Sequence, residues 1–71
     1  MTASPLNLTI NGEQRAFEGE PTLAALVASL GLDLRKVAVE RNLEVIPRRL
    51  LGEAPIADGD RIEIVHFIGG G

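Results

Sequence analysis

Apolar and polar residues alternate near the start of the chain. Leu6, Leu8 and Ile10 are separated by Asn7 and Thr9, the period-two pattern of a strand with one buried face. Asn11-Gly12 follows, a pair suited to a two-residue turn in which both central residues take positive φ. Residues 13–17 are therefore predicted to return as a second strand. A strict two-residue loop sets Arg15 opposite Leu8, on the core face. Either this strand lies at the sheet edge with Arg15 reaching water, or the hairpin is bulged; an edge strand is expected.

The period then changes. Leu23, Leu26, Val27 and Leu30 recur at helical spacing and mark one apolar helix face. Thr22 suits the N-cap, and Gly31 suits the left-handed residue just past the end. These signals predict one helix over about residues 22–30. Val37–Arg41 reads as a third strand, with Asn42 as turn former, and Leu43–Ile46 as a short return stopped by Pro47. Arg48–Gly52 fits a strand or an irregular loop. Asp58-Gly59-Asp60 reads as a tight turn before a last strand over about residues 61–67. A hairpin, one helix and further strands predict an α+β layer with the helix across one face of the sheet.

Composition narrows the picture. A chain of 71 residues makes one domain and buries only about 60% of its unfolded surface. It holds no cysteine and one histidine, so disulfides, thiolate metal sites and multi-histidine sites are excluded. Stability must come from the 45% hydrophobic residues, with Phe17 and Phe67 the only aromatics. A net charge of −3, with no basic patch or stacking aromatics, argues against nucleic acid. No apolar run approaches the ~20 residues of a membrane span, and the first residues lack signal-peptide features. A soluble, cytoplasmic protein is expected, with no cofactor and no metal site.

The candidate chemistry lies at the end. Gly69-Gly70-Gly71 follow directly on the most strand-like segment. Three extended residues reach about 10 Å, and glycine has no Cβ to clash in a narrow channel. The working group of such a tail is its carboxylate. A carboxylate is a poor electrophile until activated, for example as an acyl-adenylate, after which the carbon accepts a sulfur or nitrogen nucleophile. The tail supplies little affinity, since ordering each residue costs about 1–2 kcal/mol. Docking must come from the domain beside it.

On the last strand Ile62, Ile64, His66 and Ile68 share one face, and Arg61, Glu63, Val65 and Phe67 the other. With the isoleucines inward, Val65 and Phe67 face out as a partner-binding patch; alternatively Phe67 covers the end of the sheet. His66 has no catalytic partners at hand and reads as a rim residue. Arg48-Arg49 reads as a solvated edge, and Asp58 and Asp60 as turn chemistry. No nucleophile–base pair or phosphate loop is visible, so the chain is expected to be acted on and not to be an enzyme.

These features together resemble the ThiS family of sulfur carriers. The resemblance is carried by the Leu-rich first strand with Asn11-Gly12, the Leu23–Leu30 helix and Val39-Glu40-Arg41-Asn42 before Ile46-Pro47. The Asp58-Gly59-Asp60 turn and the closing Ile64–Gly71 segment complete it. It implies a ubiquitin-like β-grasp domain over residues 1–68. Its mixed four- to five-stranded sheet has parallel first and last strands and one main helix on one face, with a glycine tail at 69–71. It implies that a ThiF-like, E1-type adenylyltransferase activates the carboxylate of Gly71 with ATP. Sulfur from a cysteine persulfide, supplied by a cysteine desulfurase, then makes a thiocarboxylate, which thiazole synthase, ThiG, uses in building the thiazole of thiamine. Gly70 and Gly71 match the family's terminal diglycine, and Gly69 is one glycine more, which together with Gly70 forms the tail that bears the Gly71 carboxylate. The small subunit of molybdopterin synthase and a ubiquitin-like protein modifier share this fold and tail and are the alternatives.

Overall fold

A computed structural model describes residues 4–68. Of the expected 1–68 domain and 69–71 tail, residues 1–3 and the tail lie outside the described residues. Five strands and one α-helix follow in the predicted order: β1 (Leu6–Ile10), β2 (Glu13–Phe17), α1 (Leu23–Ser29), β3 (Val37–Arg41), β4 (Glu44–Ile46) and β5 (Arg61–His66). The sheet order is β2-β1-β5-β3-β4. β1 and β5 pair in parallel, and the remaining neighbours are antiparallel. This is the mixed five-stranded β-grasp sheet, with β5 at its centre.

The β1–β2 hairpin has the strict two-residue loop. Leu8 faces Arg15 and Ile10 faces Glu13 without a bulge, and Asn11 and Gly12 take φ of +50° and +84°. The conflict over Arg15 resolves at the edge: β2 is outermost, and Arg15 is exposed. Phe17 alone of β2 is buried.

Helix α1 turns Leu23, Leu26 and Val27 onto the sheet. These three join Leu8, Ile62, Val37 and Val39 as the most deeply buried side chains. Sequestering one Leu or Val contributes about 1.5–3 kcal/mol. The helix is short, so its ends matter. Thr22 Oγ1 accepts from the Ala25 amide at 3.1 Å. The Leu23 and Ala24 amides donate to the Ala54 and Leu51 carbonyls at 3.0 and 2.9 Å. The loop before β5 thereby satisfies donors that a helix leaves open. At the other end Gly31 takes φ +77°. Its amide donates to Ala28 O, and that of Leu32 to Val27 O, the doubled closure of a Schellman motif.

Residues 48–52 resolve as neither a strand nor wholly irregular loop. Arg48–Leu50 form a single 3-10 turn. It sets Leu51 into the core, while Arg48 and Arg49 stay exposed, as expected of a solvated edge.

Candidate functional site

β5 carries the chain from the core towards its end. Ile62 and Ile64 are buried, whereas Val65 is 58% and Phe67 47% exposed. The predicted alternation holds through Val65, and Phe67 is half-exposed. The core face stops at Ile64: His66 is exposed, as a rim residue would be, and Ile68 is 94% exposed. The strand itself is held beyond the core. Val37 pairs with His66, and the Phe67 amide donates to Lys36 O at 2.7 Å. The backbone is thus directed through residue 67. Gly69, Gly70 and Gly71 lie outside the described residues.

The exposed pair has neighbours that the sequence did not single out. Ala38 stands opposite Val65, and Val45 opposite Glu40, so both share the outer face, away from α1. Ala38 is exposed, and Val45 is 67% exposed. Each strand alone shows the alternation, but only the pairing register brings these residues beside Val65.

Three polar side chains fix β5 in place. Asn11 Oδ1 accepts from the Ile64 amide at 2.7 Å, and its Nδ2 donates to the Ile64 carbonyl at 3.1 Å. The side chain thus substitutes for a neighbouring strand where β1 has ended. Asn42 does similar work at the start of β5: its Oδ1 accepts from the Arg61 amide at 2.9 Å, and its Nδ2 donates to Asp60 Oδ1 at 3.0 Å. Asp60 is 7% exposed and also accepts from Arg41 Nε at 2.7 Å and the Ala57 amide at 2.8 Å. Burial opposes its ionisation, but the hydrogen bonds from Arg41, Asn42 and Ala57 outweigh this and hold its pKa below the ordinary carboxylate value. Asp58 accepts from the Asn7 amide at 2.6 Å. Both aspartates therefore serve the turn, as the sequence indicated, and they tie it to β1 and β3.

Among the described residues no group of three or more His, Cys, Asp or Glu could hold a metal ion. No helix there is long and apolar enough to cross a membrane. Among the described residues the site is a strand end whose outer face exposes the apolar Ala38, Val45, Val65 and Phe67.

Comparison with known proteins agrees with this architecture. The model of the ThiS family matches residues 8–71. The chain is 53% identical over 66 residues to a thiazole synthase of Paramagnetospirillum magneticum, covering 93% of this chain and 20% of that protein. It spans a similar 20% of a thiazole synthase of Magnetococcus marinus, at 44% identity. It is 42% identical over 65 residues to the sulfur carrier protein ThiS of Bacillus subtilis, covering 90% of this chain and 98% of that one. The crystal structure of the thiamine biosynthesis protein ThiS from Geobacter metallireducens superposes with a TM-score of 0.77 at 33% identity, covering 93% of this chain and 100% of that one. With the family pattern running from within β1 to the last glycine and 93% of the chain matched in three dimensions, the chain belongs to the ThiS family.

Proposed function

We propose that this chain is a sulfur carrier for the thiazole of thiamine, and that its reactive group is the carboxylate of Gly71. An E1-type adenylyltransferase joins that carboxylate to AMP, with pyrophosphate leaving from ATP. The terminal sulfur of a persulfide on a cysteine desulfurase then attacks the acyl carbon and AMP leaves. A thiol supplies the two electrons that release the sulfur as a thiocarboxylate. Thiazole synthase accepts it. The chain is the substrate of these steps and works in the cytoplasm.

One observation carries the reading. β5 is anchored on both sides through the core, yet it ends with Val65 and Phe67 on an exposed face just before the glycines. That arrangement suits a tail with little affinity of its own, because an apolar patch beside it supplies the docking. Gly69 and Gly70 then deliver the carboxylate. Relatives that are thiazole synthases and ThiS proteins favour thiamine over molybdopterin synthesis. The thiazole synthases that contain a segment like this chain support that enzyme as the acceptor.

Intact mass tests the reading. After incubation with the adenylyltransferase, ATP and a sulfur donor, replacing oxygen by sulfur adds about 16 Da. An unchanged mass overturns the proposal, and conjugates to other proteins would favour a modifier. A residue added after Gly71 should abolish the gain and leave the fold intact.

A further inference from the structure

Glu40 and Glu63 stand directly opposite one another across β3 and β5. Both are half-buried on the outer face. Opposed residues of an antiparallel pair hold their Cβ atoms about 4.5–5.5 Å apart, and like charges there are destabilising. No cation of the chain relieves them among the described residues. The ion pairs there are Arg35–Asp33 and Arg41–Asp60. Arg61 shares the strand and face of Glu63 without pairing with it. Ala38, Val45 and Val65 surround the two carboxylates, and together they line a shallow depression of about 80 Å³.

Charge decides what fits such a face. A second copy meeting this face through its own like face would set two more carboxylates against these two. An anionic lipid surface would be repelled in the same way. Water screens the two partly exposed carboxylates in the free protein but leaves the apolar groups beside them uncovered. A cation set among apolar side chains answers both at once: its charge is shared by the two carboxylates, and its apolar frame covers Ala38, Val45 and Val65.

We infer that the outer face of β5, β3 and β4 takes a partner-protein surface that projects one arginine or lysine, framed by apolar side chains, between Glu40 and Glu63. This rests on the carrier reading, in which Val65 and Phe67 dock a partner, and it names the chemistry that the partner must present. The glutamates give selectivity and speed of encounter, and the apolar residues hold the complex.

The double variant E40Q/E63Q in the full chain tests this. It keeps size and hydrogen bonding and removes both charges. Urea unfolding should show stability equal to or above that of the wild type. Titration calorimetry against the purified adenylyltransferase and against thiazole synthase should show binding at least about tenfold weaker to one of them. The fall in wild-type affinity with added salt should shrink in the variant. Wild-type affinity for both enzymes in the double variant overturns the inference, as does tighter binding. A wild-type dimer in sedimentation that uses this face overturns it also. The wild-type mass gain reports separately on the carrier reading. If that gain occurs and E40Q/E63Q binds normally, only the inference fails.

Discussion

Two turns of this molecule have the same geometry and different chemistry. Asn11-Gly12 joins β1 to β2, and Asn42-Leu43 joins β3 to β4, each as a strict two-residue loop. In both, the asparagine takes φ near +50° and grips the backbone of β5 with its side-chain amide. The second residues differ. Gly12 sits at φ +84° with open space around it. Leu43 sits at φ +71° and is 79% exposed. A left-handed conformation costs a side-chain-bearing residue about 1–2 kcal/mol, and solvent exposure gives Leu43 little in return. The comparison separates two tasks: each asparagine clamps the central strand, while the residue after it only needs to complete the turn.

The largest effect should come from the clamp on the Asn42 side. Asp60→Ala removes the acceptor shared by Arg41, Asn42 and Ala57, and should lower stability by about 3 kcal/mol, read by chemical denaturation. Its pH dependence has a definite sign. Because the folded pKa of Asp60 is depressed, its contribution is fully present above the unfolded value of about 3.9 and is lost as pH falls through the lower folded value. The gap between wild type and Asp60→Ala should therefore narrow in acid; a constant gap would mean that the ionised carboxylate is not what holds the turn.

Asn11→Ala should follow at about 2 kcal/mol, since it strands the amide and carbonyl of Ile64 in a partly buried position. Hydrogen exchange at the Ile64 amide should rise more than at the Ile62 amide. Equal changes would show that Asn11 acts only through its turn conformation.

The second residues should respond less, and in opposite directions. Gly12→Ala meets no atom within 4 Å, so its cost of about 1 kcal/mol comes from backbone conformation alone. Leu43→Gly should stabilise by about 0.5 kcal/mol, the relief of strain being partly offset by the greater freedom of glycine in the unfolded chain. A loss of stability on Leu43→Gly would reveal contacts that its exposure does not suggest.

Much of this hairpin geometry was legible in advance, unevenly. Asn11-Gly12 announces its turn, because both residues tolerate positive φ and flank an alternating strand. Asn42-Leu43 is legible only through Asn42, since leucine is a poor resident of that position. The residues 48–52 were ambiguous because a short apolar run has no clear period. What settles them is Leu51, drawn into the core beneath α1 with its carbonyl on the Ala24 amide. The outward face of Val65 follows from alternation once Ile62 and Ile64 point inward, whereas alternation leaves open whether Phe67 faces out or covers the end of the sheet.

The sequence by itself determined the local features of this protein: the strand and helix periods, the caps at Thr22 and Gly31, the two-residue turn at Asn11-Gly12 and the division of β5 into inner and outer faces. Each rests on dihedral preferences and spacings that span a few residues. The parallel pairing of β1 with β5 was implied by family resemblance and not by periodicity. Only the tertiary structure decided the rest. Asn11 meets Ile64 across 53 positions, Asn42 meets Asp60 across 18, and Glu40 meets Glu63 across the β3–β5 pair. Such meetings depend on register between distant segments, which is set by burying one common core, and no local pattern encodes which residue will stand opposite which.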